Sequence, residues 1–532
     1  MLKKLIASTA CLSCLFITHA QMDPREKMTS ALKTIRDNYV DSIPEEQLSD
    51  AAIAGMIQVL DPHSRYFSRE EAEQMHEAMS GSFTGIGIQY LMQHDTVFVT
   101  QVTDGGPAQQ AGVMAGDGIV DVDGRKIPGH GFTNYDIMKM IRGEKGTVVT
   151  LTIHRNTAAQ LFTIKITRNA IADRSVRSAY MIDGNTGYIA LHIFSQTTRK
   201  EMDSALLSLK SQKMKNLILD LQGNGGGLVQ EAIGVADEFL KKDQMVFYSV
   251  GNDHGKDYYY TGGFGQFAEG RLVVLIDQNT ASASEILSGA LQDWDRAVLV
   301  GRRSFGKGLM QKGFALADGS MLELTGARYY TPSGRSIQKP YRGAHYDDNT
   351  ASRLASGELF DAAMIHFPDS LACSTLVNKR KVYGGGGIMP DRYVPVDSIQ
   401  YSTWFQRLSG AGWMTQTVFD YVNEHRTALT RQFADFSSFR ENFTTPAYLL
   451  TTLQEKAAKN TTASIPPLDA HARQMVALEI KAMIAMQLYG NNQYYDRILI
   501  DGNESFRQAL SIISDPGEYA SFLTGKQPVQ KK

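Results

Sequence analysis

Three stretches near the middle of the chain follow one pattern, and it leaves few folds open. NLILDLQ (216–222), RLVVLID (271–277) and RAVLVG (296–301) are near-continuous apolar runs, each leading straight into a loop of small or polar residues. A strand that is apolar on both faces has to be covered on both faces, as in a largely parallel sheet clothed by helices. The intervening segments agree, because EMDSALLSLK, EAIGVADEFL and ASEILSGALQDW carry helical spacing. With TGYIALHI as a first strand, an α/β unit is expected over 171–397.

In open α/β sheets, ligands collect where strand ends meet helix starts. The three loops there are GNGGGL (223–228), NTASASE (279–285) and GRRSFGKGLMQ (301–311). A serine at a helix start is ordinarily a cap, but one hydroxyl suffices for that and this loop carries Ser282 and Ser284. Lys307 sits at the end of the next strand, so it meets Ser282 if the two strands are neighbours. A lysine accepts a serine proton only when neutral, and its free pKa is about 10.4. Burial against Phe305, Leu309 and Met310 would disfavour the ammonium, and a shift of roughly 3 units corresponds to about 4 kcal/mol. The neutral amine then acts as general base for Ser282. The oxyanion formed by attack needs preorganised donors, for which the backbone N–H groups of Gly226 or Gly227, with Ala283, are the candidates.

Other chemistries fit less well. Gly301 to Lys307 reads G-x-x-x-x-G-K, but Gly308 follows where a phosphate-binding loop needs Ser or Thr, and LMQKGFALADGSMLEL alternates like a hairpin around Asp318 and Gly319. There is no G-x-S-x-G elbow, no H-E-x-x-H and no metal-ligand spacing among the histidines. A serine-histidine triad using a distant residue such as His192 has no support in the pattern. With 54 Lys+Arg against 56 Asp+Glu and a formal net charge of −2, no basic field is available for nucleic acid.

The 532 residues suggest two to four domains. Residues 1–20, MLKKLIASTACLSCLFITHA, have the layout of a cleavable signal peptide ending at Ala20. Its loss would remove Cys11 and Cys14 and leave Cys373 alone, so no internal disulfide is expected. Residues 21–80 read as a helical segment interrupted by Pro44 and by DPHS at 61–64. Residues 81–170 hold short strands with turn signals, residues 398–532 turn helical again, and 342–387 has no clean period and reads as an insertion.

Taken together, LDPHSRYFSREE, FTGIGI, DLQGNGGGL, TASASEILSGALQD, RSFGKGLMQ, RYYTPSGRSIQKPY and GGGGIMPDRYVP resemble, in order, the motifs of the C-terminal processing (tail-specific) peptidases. The resemblance implies a crotonase/ClpP-like α/β catalytic core, a PDZ domain inserted in or preceding it, and helical N- and C-terminal segments. It implies a Ser-Lys dyad of Ser282 and Lys307, with Gln311 orienting the lysine. Ser284 then caps or lines the helix and Glu285 is structural. Asp293 matches an aspartate that supports the site in some relatives, or is a surface helix end. Gln222 and Gly225 stand where the family often has arginine and proline, which removes one charge and some rigidity from the glycine loop.

The block from 81 to 170 looks like a PDZ domain with Gly85, Ile86, Gly87 and Ile88 in the place of its carboxylate-binding loop. Successive N–H groups can cradle a terminal carboxylate while a strand edge pairs with the peptide. Arg142, in IRGEKGT, matches an arginine implicated in coupling this module to the catalytic site, or is an exposed turn residue. The reading is an exported serine endopeptidase, periplasmic or associated with the cell envelope, acting on proteins with free C-terminal tails. It calls for no metal or organic cofactor, allows an activating partner protein, and is expected to form homo-oligomers. Its rivals are a non-catalytic PDZ-type peptide binder and an acyl-CoA enzyme on a related sheet.

Overall fold

A computed structural model describes residues 22–526, apart from 94–95, 156–157, 347, 411, 460–467 and 491. The signal peptide expected over 1–20 lies outside the described residues. Among those described, no helix is long and apolar enough to cross a membrane.

The apolar runs form the centre of a six-stranded sheet in the order Val176–Met181, Thr186–Leu191, Asn216–Asp220, Arg271–Ile276, Val298–Gly301, Arg392–Tyr393. The first pair is antiparallel and every later pair parallel. Alternation along each strand explains why both faces are apolar. Leu217, Leu219, Leu272 and Val274 pack on one side beneath the helices Thr198–Ser211, Val229–Asp237 and Ala283–Asp293. Ile218, Val273 and Leu275 face the other side, where Phe506, Ile512, Ile513, Tyr519 and Phe522 cover them. Those residues belong to Glu504–Ser514 and Pro516–Thr524, so the end of the helical C-terminal region forms the second layer of the peptidase sheet. The region over 404–499 is a separate bundle with its own core, including Val418, Phe439, Ile480 and Ile484.

The hairpin around Asp318 and Gly319 is present as Leu309–Ala315 and Met321–Tyr330. It joins Met245–Gly251 and Lys256–Tyr260, and the short strand Arg65–Phe67 adds to it antiparallel. The N-terminal segment therefore reaches the catalytic half through one strand, while its first helix, Pro24–Asn38, buries no residue.

The strands Ile88–Gln93, Thr96–Val102, Gly118–Val122, Val148–His154 and Phe162–Thr167 make a second sheet with its own core, closed by the helix Asn134–Ile141. A two-stranded ribbon, Ser82–Gly85 with Asn169–Ala172, forms the neck of this module. The 342–387 segment builds only short elements, such as Thr350–Ala355 and the pair Ala372–Ser374 with Lys381–Tyr383. Charge holds it in place: Arg303 and Arg353 share the Glu358 carboxylate, and Arg353 also donates to the carbonyls of Arg303 and Ser304.

Candidate active site

The three loops converge at the carboxyl end of the sheet because side chains stitch them together. Asp277 Oδ1 accepts N–H groups from Gly223, Asn279 and Thr280, each at 3.0 Å, so one oxygen ties the serine loop to the glycine loop. The buried Asn224 adds a second tie, since its carbonyl accepts the Ala281 N–H and the Ser284 hydroxyl, each at 3.0 Å. Ser284 thus lines the helix and faces away from solvent.

Ser282 opens the Ala283–Asp293 helix with φ 55° and ψ −116°. Such backbone costs a non-glycine residue about 1–3 kcal/mol and persists only where its surroundings impose it. Here the Glu285 carboxylate accepts the Ser282 N–H at 2.9 Å, and the Ser282 carbonyl accepts the Glu285 and Ile286 N–H groups. The half-buried Ser282 hydroxyl sits at the capping-box position of the helix, facing the Glu285 N–H.

Glu285 does more than support its own helix. Its Oε1 accepts from the Ser304 hydroxyl and the Gly306 N–H, and its Oε2 from the N–H groups of Ser282 and Lys307, both at 2.9 Å. The backbones of Ser282 and Lys307 are thus two hydrogen-bond lengths apart through a single oxygen. Burial pushes the Glu285 pKa up, and the four hydrogen bonds pull it back toward the charged form.

Lys307 lies between the buried Gly306 and Gly308 and makes no ion pair or hydrogen bond through its amine among the described residues. Burial holds its pKa below the ordinary lysine value; Arg65 pushes the same way, while Glu323, Glu285 and Asp61 oppose. The Gln311 amide is hydrogen-bonded elsewhere: Gln311 Nε2 donates to Thr325 Oγ1 at 3.2 Å, and the Thr325 hydroxyl donates to Asp61 Oδ1 at 3.0 Å.

Gly226 and Gly227 are both required by close approach. At φ 102°, a Cβ on Gly226 would lie 2.8 Å from Ser282 Cβ and 2.9 Å from the Ala283 nitrogen; on Gly227, at φ 139°, it would lie 2.2 Å from the Phe194 oxygen. Their N–H groups differ. That of Gly226 donates to Asn224 Oδ1 at 2.9 Å and is not free for an oxyanion, so Gly226 contributes shape alone, which corrects the sequence reading. Gly227 bridges to Phe194 through its neighbours' groups, and neither its own N–H nor that of Ala283 has a partner among the described residues. At one end of the loop Gln222 Oε1 accepts from Asn503 Nδ2 at 2.8 Å.

Asp293 is fully buried, so the surface helix end is corrected too; it pairs with Arg335 at 2.8 Å and accepts the Ser333 N–H, at the far end of the helix from Ser282. His192 is exposed. Among the described residues no three His, Cys, Asp or Glu side chains group as metal ligands.

In the strand-rich module, Gly85 ends the neck ribbon and Ile88 starts the sheet's edge strand. The Ile86 and Gly87 carbonyls accept from Ala108 and Thr103, with Gly87 at φ 79°. Arg142 follows the Asn134–Ile141 helix and is not a free turn residue: it pairs with Glu77 at 2.8 Å and lies over the Phe83 ring. The sequence reading missed Asn224, Asp277 and the DPHS turn. Asn224, an amide among glycines, was the one recognisable signal.

Family comparisons match the description "Peptidase family S41" over residues 185–347, "PDZ domain" over 84–166, "Activating protease CtpB N-terminal domain" over 16–71, and a family of unknown function over 404–490. The carboxy-terminal-processing protease of Bartonella bacilliformis is 39% identical, covering 57% of this chain and 70% of that protein. A probable CtpA-like serine protease of Staphylococcus epidermidis is 33% identical over 59% of this chain and 63% of its own length. The photosystem II D1 C-terminal processing protease aligns in structure at 30% identity with a TM-score of 0.33, over 58% of this chain and 89% of that one. Matched across more than two thirds of the Bartonella protein, the chain belongs to the carboxy-terminal-processing serine peptidases of family S41.

Proposed function

We propose that the protein is an endopeptidase that binds the C-terminal tail of a protein substrate in its PDZ domain and cleaves the chain with a Ser282–Lys307 dyad. The observation that carries this is the shared Glu285 oxygen, which holds the nucleophile turn and the lysine loop together. Ser282 Oγ attacks the scissile carbonyl carbon as its proton passes to neutral Lys307 Nζ. The Gly227 and Ala283 N–H groups donate to the developing oxyanion, and donors of this kind are worth roughly 3–4 kcal/mol of barrier. Lys307 returns the proton to the leaving amine, then takes one from the water that hydrolyses the acyl-enzyme. Gln311 acts on the lysine through Thr325 and Asp61.

A substrate tail adds to the open edge of Ile88–Gln93 beside the Asn134–Ile141 helix, its carboxylate at the 85–88 loop. Arg142, paired to Glu77, couples that module to the N-terminal helices. Export with cleavage after Ala20 would place the enzyme in the periplasm or cell envelope. Exposed Met28, Ile35 and Val40 on and after a helix that buries nothing support association of subunits or an activating partner there.

The test is cleavage of an unfolded protein with and without its tail, read by mass spectrometry of the products. Ser282→Ala and Lys307→Ala are each expected to abolish turnover with the melting temperature retained, and tail deletion to slow the wild type. Normal turnover by either variant removes the dyad; equal cutting of both substrates removes tail recognition.

A further inference from the structure

The DPHS turn lies 215 residues or more before the serine loop, yet it comes within electrostatic reach of the lysine. Asp61 Oδ1 accepts the N–H groups of His63 and Ser64 at 2.8 and 2.9 Å, and Oδ2 accepts the Ser64 hydroxyl at 2.6 Å. Ser64 Oγ in turn accepts the Thr325 N–H at 3.1 Å, and Arg65–Phe67 pairs with Met321–Glu323. The turn is thereby fixed to the strand that carries Glu323, one of the charges facing Lys307.

The His63 ring packs edge-on to Phe305, centroids 6.4 Å apart, and against Tyr346 at 5.4 Å. His63 Nε2 and the Tyr346 hydroxyl are 2.5 Å apart. That hydroxyl accepts from Gln338 Nε2 at 3.1 Å and has its own hydrogen to offer His63 Nε2, a pairing that goes with the imidazole proton on Nδ1. A neutral ring suits these surroundings: Lys307, Arg65 and Lys339 disfavour an imidazolium, with Asp61 alone on the other side, and burial, the largest effect, lowers the pKa to about 4. Lys339 itself is taken up by the Phe305 and Tyr346 rings, 3.7 and 4.4 Å from their centroids.

We propose that His63 is a positioning residue for Lys307: a neutral imidazole, clamped between the N-terminal turn and Tyr346 of the 342–387 segment, that walls the amine from water and keeps it unprotonated. The proposal rests on Lys307 being the base, and it places two segments outside the peptidase sheet in direct control of that base. The groups facing the lysine are Glu323, Glu285 and Asp61, which favour its charge, and Arg65, which disfavours it along with burial. Opening the wall re-wets the amine, raises its pKa and moves the acid limb of activity to higher pH.

The experiment uses the full chain and two readouts across pH: kcat/KM on an unfolded substrate, and the rate at which Lys307 is labelled by an amine-reactive ester, read by peptide mass spectrometry. His63→Ala is expected to raise both midpoints by about one pH unit, a roughly tenfold loss on the acid limb with kcat at the alkaline plateau little changed. His63→Phe, which keeps a dry wall, is expected to restore most of the shift, and Tyr346→Phe, which only removes the clamping hydroxyl, to shift both midpoints less. Unchanged labelling midpoints in His63→Ala and Tyr346→Phe overturn the proposal. A labelling midpoint that moves while the activity limb stays supports His63 and overturns Lys307 as the base.

Discussion

The serine turn and the PDZ module are attached to the protein by opposite means. In the peptidase half that carries the turn, charges are buried in pairs: Arg335 with Asp293, Arg380 with Asp295, and Arg303 with Glu358 all have side chains under one-tenth exposed. The PDZ module hangs on a two-stranded neck, with Arg142–Glu77 at 38% and 30% exposure and Lys139–Glu70 more exposed still. On its other side Phe98 packs against Phe419 at 5.2 Å and Gln101 Nε2 donates to the Gly490 carbonyl at 3.4 Å. A buried pair that loses a partner costs several kcal/mol, whereas an exposed one is worth about 0–1 kcal/mol. Chemistry that needs fixed geometry sits in the locked part, and tail recognition sits where reorientation is inexpensive.

Three substitutions test that contrast. Glu285→Ala should have the largest effect, since it orphans four donors at about 1–3 kcal/mol for each buried one; cleavage is expected to vanish and the denaturation midpoint to fall, and a folded variant with normal turnover would show that the two loops hold together without it. Gly227→Ala should follow, with kcat down about 10²–10³-fold as the Cβ is driven off the Phe194 carbonyl and the free N–H with it. An unchanged kcat would move the oxyanion site elsewhere. Arg142→Ala should have the smallest effect: at most about 1 kcal/mol of stability, with a several-fold change confined to tailed substrates in steady-state kinetics. An equal change on tailless substrates would mean that Arg142 serves the fold alone.

Much of the central sheet was legible because alternation on two buried faces leaves short apolar runs bounded by turn residues, and the strand ends then located Ser282, Lys307 and the glycines. The 342–387 segment was illegible because Glu358 and its two arginines hold it, and ion pairs impose no period. The surface alternative for Asp293 fails for a related reason: its burial depends on Arg335, 42 residues later. His63 read as part of a helix breaker since its neighbours, Phe305 and Tyr346, come from more than 240 residues on. The N–H of Gly226 could not be distinguished from that of Gly227 without the Asn224 side chain in view.

The helices over 504–524 supply the apolar layer beneath Ile218, Val273 and Leu275. During synthesis those strands are made more than two hundred residues before their cover, and until it arrives one side of the sheet meets solvent. The peptidase half is thus a late event in the life of each polypeptide, and a nascent or prematurely terminated chain exposes a sticky surface in place of an unsupervised cutting edge.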